Sequence, residues 1–153
     1  MDFFELIRWG EIAEVKQMVE AEPSLLAVRD PKGYPSLILA SYNEQYDITK
    51  YFLDRGADVD ARDAAGNTAL MGVCFKGYKA IAGLLLEYGA DVNVQNFNGA
   101  TALIYAATFG QTEISKLLLE NGADKTLQDI RGNTAYMHAK FQGVPQLAEL
   151  LEV

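Results

Sequence analysis

A glycine recurs every 33 residues through most of this chain, at Gly33, Gly66, Gly99 and Gly132. Two further registers keep the same spacing: Gly56-Ala57, Gly89-Ala90 and Gly122-Ala123, and Leu37, Leu70, Leu103 and Tyr136. Three independent ladders at one period constrain the fold more tightly than any composition value. A repeat of this length is one supersecondary unit, too small to bury its apolar face alone, so it must stack against copies of itself. The unit is written most fully from Gly66 to Asn93, where Val73-Cys74, Ile81 and Leu84-Leu85-Leu86 fall at helical spacing. Each copy therefore reads as a short inner helix, a tight turn, a second outer helix and a loop through Gly-Ala-Asp to the next copy.

The pattern Gly66-x-Thr68-x-Leu70, Val73-Cys74, Gly77, Ile81, Leu84-Leu85-Leu86 and Gly89-Ala90-Asp91-Val92-Asn93 closely resembles the ankyrin repeat, and the resemblance covers nearly the whole chain. It implies an all-α ankyrin-repeat solenoid of five stacked helix-turn-helix units with short hairpin-like loops. Residues 1–153 would form a single domain, with 1–29 as N-terminal capping repeat, 30–62, 63–95 and 96–128 as internal repeats, and 129–153 as C-terminal capping repeat. Glu5, Glu11, Glu14, Lys16 and Glu20 would solvate one end, and Lys140, Gln142, Gln146, Glu149 and Glu152 the other. Small residues at Ala40, Ala106 and Ala139 let inner helices approach closely, while bulkier Leu and Ile of the outer helices fill the seam behind them. That difference should curve the stack and leave inner helices and loop tips on its concave side.

Three departures from the family pattern stand out. Pro35-Ser36 replaces the usual Thr-Pro at a helix start. Glu44 stands where Gly77, Gly110 and Gly143 link the two helices in other repeats, so Asn43 is expected to supply the left-handed residue there. The family's Thr-Pro-Leu-His appears as Pro35-Ser-Leu-Ile38, Thr68-Ala-Leu-Met71, Thr101-Ala-Leu-Ile104 and Thr134-Ala-Tyr-Met137. Apolar contact is expected to replace the histidine's hydrogen bonds between loops. No large histidine-linked stability step is then expected between about pH 5.5 and about pH 8.

The net charge of −8 argues against nucleic acid or an anionic membrane as a general partner. No apolar run approaches the ~18 residues of a membrane span. The start, Met1-Asp-Phe-Phe-Glu5, lacks the basic and apolar segments of a signal peptide, so a cytoplasmic location is expected. A lone cysteine excludes an internal disulfide. Catalysis by Cys74 and His138 would need hydrogen-bond reach, yet the register sets them two units apart. No Cys or His pair has metal-ligand spacing. Asp58, Asp91 and Asp124, and likewise Asp30, Asp63 and Asp129 with Asn96 as fourth member, are better read as turn residues bonding their own backbone. No cofactor and no enzymatic activity are expected.

Function must then lie on surface positions that the scaffold leaves free. Carried over from the family by register, these are the end of each inner helix and the loop tips. The candidate partner-binding residues are Arg8, Trp9, Tyr42, Phe75, Lys76, Phe109 and Phe141 on the helices, and Arg29, Lys32, Tyr34, Arg62, Asn67, Phe97, Asn98 and Arg131 on the loops. The strip is aromatic and basic, the residue types enriched at binding hot spots, although the molecule as a whole is acidic. The plainer alternative is that these aromatics cap helices and pack on one another. The leading functional expectation is a non-enzymatic protein-protein interaction module, monomeric when free, whose partner is a protein with an acidic, partly apolar patch. A small regulatory inhibitor or immunity-type protein that occludes an enzyme or toxin active site is a second reading. A subunit that stacks end to end is a third, which the polar caps disfavour.

Overall fold

The computed structural model describes residues 1–153, and it consists of ten α-helices in five consecutive pairs. They are α1 (Phe3–Trp9) and α2 (Ile12–Ala21), α3 (Ser36–Tyr42) and α4 (Tyr46–Asp54), α5 (Ala69–Lys76) and α6 (Lys79–Glu87), α7 (Ala102–Thr108) and α8 (Thr112–Glu120), and α9 (Ala135–Gln142) and α10 (Pro145–Leu151). A short 3-10 turn, Pro23–Ala27, follows the first pair where Pro23 breaks helical periodicity. Each inner helix packs on the inner helices before and after it, and far more closely than the outer helices pack on one another. The in-register residues Ala40, Val73, Ala106 and Ala139 lie at that seam with no exposed surface. The outer helices contribute the larger buried side chains Ile48, Phe52, Ile81, Leu85, Ile114, Leu118, Leu147 and Leu151. A helical repeat solenoid follows, with one continuous core running through all five pairs.

The glycine ladder that dominates the sequence closes the loops between pairs. In each loop Gly33, Gly66, Gly99 or Gly132 donates its N–H to the carbonyl three residues earlier, at 2.9–3.0 Å. Each sits at positive φ, 72° to 87°, a region costly for any residue with a Cβ. The turn is completed by the residue that precedes the glycine by three. Oδ1 of Asp30 accepts the N–H of Lys32 and of Tyr34, at 3.0 and 2.9 Å. Asp63, Asn96 and Asp129 do the same for their own loops at 2.9–3.0 Å. On the opposite edge, Oδ1 of Asp58, Asp91 and Asp124 accepts the N–H two residues on. The regular aspartates are thus turn residues.

Helix starts follow the sequence where it is regular. Thr68, Thr101 and Thr134 cap α5, α7 and α9 by accepting from Met71, Ile104 and Met137 N–H. Pro35 gives α3 no side-chain cap, and Ser36 Oγ instead donates to the carbonyls of Leu25 and Val28. Two expectations need correction. Asn43 remains at φ −94°, its Nδ2 held by the Leu39 carbonyl, and Glu44 itself takes the left-handed conformation at φ 58°. The αL position belongs to the in-register neighbour of Gly77, and the backbone keeps that geometry at a cost of about 1–2 kcal/mol. Replacement of the family histidine by apolar contact holds for Ile38, Met71 and Ile104, all buried, but not for Met137, which is 39% exposed. There the next residue, His138, reaches the loop through Nε2, 2.8 Å from Asp129 Oδ2.

Candidate functional site

The face formed by inner helices and loop tips collects the exposed apolar surface of the molecule. Apart from Tyr46 and the terminal Met1 and Val153, every exposed large apolar side chain lies there: Trp9, Tyr34, Tyr42, Phe75, Phe97, Phe109, Ile130, Met137 and Phe141. Trp9, Tyr42, Phe75, Phe109 and Phe141 stand at or just past the last turn of an inner helix, and Tyr34, Phe97 and Ile130 on the loop tips.

Six of the sequence-derived residues converge. Arg8, Lys32, Tyr34, Tyr42, Asn67 and Phe75 line one depression of about 410 Å³, together with Asp30, Leu39, Met71, Gly72 and Tyr105. Its rings are ordered. Tyr42 stacks on Phe75 with centroids 6.3 Å apart and planes 19° from parallel. Phe75 in turn meets Phe109 edge-on at 4.7 Å and Tyr105 at 6.5 Å. Lys76 Nζ sits 5.1 Å from the centroid of the Tyr42 ring. The plainer alternative, mutual packing, therefore describes Phe75 in part, although it remains 39% exposed.

The remaining candidates lie around this centre. Trp9, 69% exposed, stands at the end of α1, and Phe141, 77% exposed, at the far end with its ring edge-on to His138. The Phe97 ring lies on Gly66 of the preceding loop, where an added Cβ would come within 3.0 Å of it. Asn98 and Arg131 are exposed loop-tip residues. Main-chain bonds lock these tips together, Phe97 N–H to the Ala65 carbonyl at 3.1 Å and Ile130 N–H to the Asn98 carbonyl at 3.0 Å. Arg29 and Arg62 have a structural task besides their charge. Arg29 donates to the carbonyls of Gly33 and Arg62, Arg62 to that of Gln95 at 3.2 Å, and Gln95 to that of Gln128 at 3.1 Å. This ladder repeats at the period of the sequence and ties each loop to the next. Arg8 also has two roles, since its Nη2 lies 3.1 Å from the Asp30 carboxylate, which is almost fully buried. Lys32 and Arg131 alone among the strip's cations have no side-chain partner, ring or carbonyl within reach.

Polar residues bind neighbouring loops behind the rings. Asn96 Nδ2 donates to Asn67 Oδ1 at 2.8 Å and lies 3.1 Å from the Tyr105 hydroxyl. Sequence reasoning found Asn67 but missed Tyr105, Met71 and Gly72. Position 72 did carry a signal, since its register partners are Leu39, Tyr105 and His138. A mid-helix glycine there costs about 1 kcal/mol relative to alanine. Elsewhere the chemistry is spare. Cys74 is fully buried, and desolvation pushes its thiol far above the ordinary cysteine range. It lies on α5 and His138 on α9, with α7 packed between them. No group of three or more His, Cys, Asp or Glu side chains is placed to hold a metal ion. No helix is long and apolar enough to cross a membrane.

This geometry is that of a helical repeat scaffold, and the comparisons agree with that architecture. A family model described as "Ankyrin repeats (3 copies)" matches residues 37–129 and again residues 70–152. The chain belongs to the ankyrin-repeat family, whose repeats generally mediate protein-protein interaction. It is 33% identical over 76 residues to human protein phosphatase 1 regulatory subunit 27, covering 50% of this chain and 49% of that protein. It is 36% identical over 69 residues to the serine/threonine-protein kinase VIK of Arabidopsis thaliana, covering 42% of this chain and 16% of the kinase. The aligned region thus spans about half of the human relative and a small part of the plant one.

Proposed function

We propose that this chain is a non-enzymatic protein-binding module that captures a partner through its inner face, the partner presenting an acidic and partly apolar patch. The observation that carries the reading is the segregation of exposed large apolar side chains onto inner helices and loop tips. Contiguous exposed apolar surface with a polar rim marks interaction sites, and Trp, Tyr and Arg concentrate binding energy there. The cations Arg8, Lys32, Lys76 and Arg131 share this strip in a molecule of net charge −8, which supplies the proposed polarity. Electrostatic steering toward an acidic patch then follows, with binding that weakens as salt rises. Desolvation of the buried Cys74 thiol keeps it out of nucleophilic chemistry, in keeping with a binding rather than a catalytic role.

The regulatory form of this reading draws on the human relative, whose name is that of a regulatory subunit of protein phosphatase 1. Occlusion of an enzyme's acidic surface is the corresponding mode of action, and protein phosphatases are the first partners to try. Affinity purification with mass spectrometry, run in parallel on the parent chain and on Trp9→Ala, Phe97→Ala and Phe109→Ala, tests the proposal. The variants should keep the parent's melting temperature and lose the captured partner. Retention of the partner by all three, or a loss of several kcal/mol of stability in each, would overturn it.

A further inference from the structure

Gly72 is not a turn residue, and what approaches it closely is one side chain of the neighbouring repeat. It lies inside α5 in ordinary helical conformation, so the backbone does not require glycine. An added Cβ would come 3.1 Å from Cδ1 of the Tyr42 ring, so that ring would have to give by a few tenths of an ångström. Leu39 and Tyr105 fill the same position in the repeats on either side. All three line the 410 Å³ depression, Gly72 contributing backbone where its neighbours contribute side chains, together with Met71 and the rings of Tyr42 and Phe75. Helical glycine weakens α5, so glycine is kept here against a stability cost.

The charged groups at its mouth are unequally free. Asp30 and Asp63 are both turned into their loops, each accepting two backbone N–H groups through Oδ1. Their second oxygens are taken by Arg8 and by Asn67 Nδ2. Lys32 has no partner, and Arg8 keeps 40% of its side chain exposed beside Asp30. The groups available to a visitor are therefore an aromatic wall, the unpaired cation Lys32 and the exposed part of Arg8 beyond its bond to Asp30. From this we infer that the Gly72 depression is the specificity pocket of the inner face, receiving one aromatic side chain of a protein partner whose neighbouring carboxylates meet Lys32 and Arg8. The inference rests on the inner-face reading above and names the chemistry of its central contact.

A short fluorescein-labelled peptide carrying one Trp flanked by Asp and Glu is titrated with the intact chain and followed by anisotropy, alongside the same peptide with Ala in place of Trp. Gly72→Leu fills the depression and Lys32→Glu reverses the free charge. Each should weaken binding about tenfold or more, as should loss of the Trp. Gly72→Ala sets a better helix former in α5 against displacement of the Tyr42 ring, and should melt close to the parent while binding less well. Gly83→Ala, on the outer helix with open space at its Cβ, should bind as the parent does. Unchanged binding to Gly72→Leu together with loss in Phe109→Ala would remove the pocket and leave inner-face docking intact. Failure of the parent to bind the peptide, or binding indifferent to the Trp, also refutes the pocket, and partner capture through Trp9 and Phe97 then decides the wider reading separately.

Discussion

Asp30 offers a clean separation of turn chemistry from ion pairing. Its side chain is about 1% exposed; Oδ1 holds two loop N–H groups and Oδ2 faces Arg8. Asn96 occupies the same place two repeats on and holds Asn98 and Ala100 N–H through its own Oδ1 without any carboxylate. Asp30→Asn therefore keeps both turn bonds and gives up only the pair with Arg8, whose guanidinium is 40% exposed, at on the order of 1 kcal/mol. Asp30→Ala strands two partly buried N–H groups as well, at about 1 kcal/mol or more each, for a total of roughly 2–4 kcal/mol. For a chain of this size each kcal/mol moves the melting temperature by about 2–4 °C. Differential scanning calorimetry near neutral pH should place Asp30→Asn within about 3 °C of the parent and Asp30→Ala roughly 5–12 °C below it. Equal losses in the two variants would refute the reasoning, because the Arg8 pair rather than the loop N–H groups would then be what the carboxylate serves.

Glu44→Gly should stabilise by about 1 kcal/mol, since it relieves a left-handed residue with a Cβ, while Glu44→Ala should not; urea midpoints that rank the two alike would contradict this. Cys74 should react with a thiol reagent only as fast as the protein unfolds, because burial both shields the sulfur and suppresses its thiolate; rapid labelling of the native chain is the opposing result. Burial by itself would raise the Asp129 carboxyl, but the bond to His138 and the N–H groups of Asn133 and Arg131 outweigh it and hold it below the ordinary carboxylate range. A depressed folded-state value means stability present above the unfolded value of about 3.9 and lost as pH falls through the folded one. Melting curves of Asp129→Asn should thus fall less steeply than the parent's below about pH 4, and parallel curves would refute the assignment.

The period of 33 residues determined a great deal by itself. Gly33 and its partners had to be turn residues, Leu37 and its partners core residues, and the aspartates loop staples, because a unit repeated in sequence repeats its backbone torsions and its local hydrogen bonds. Those are short-range matters, settled within a few bonds of the residue concerned. The same logic legibly placed Tyr42, Phe75 and Phe109 at helix ends. Which of these rings touch, and that Arg29 and Arg62 stitch loops, were decided between units. Glu44 shows the limit locally, since the turn imposes its torsion on whichever residue occupies the place. Gly72 shows it at the site: bare backbone has no meaning in one repeat, and becomes part of a depression's lining only with Leu39 and Tyr105 on either side of it. Periodicity fixes what each unit is, whereas the space between units depends on the side chains that two neighbours bring to it together.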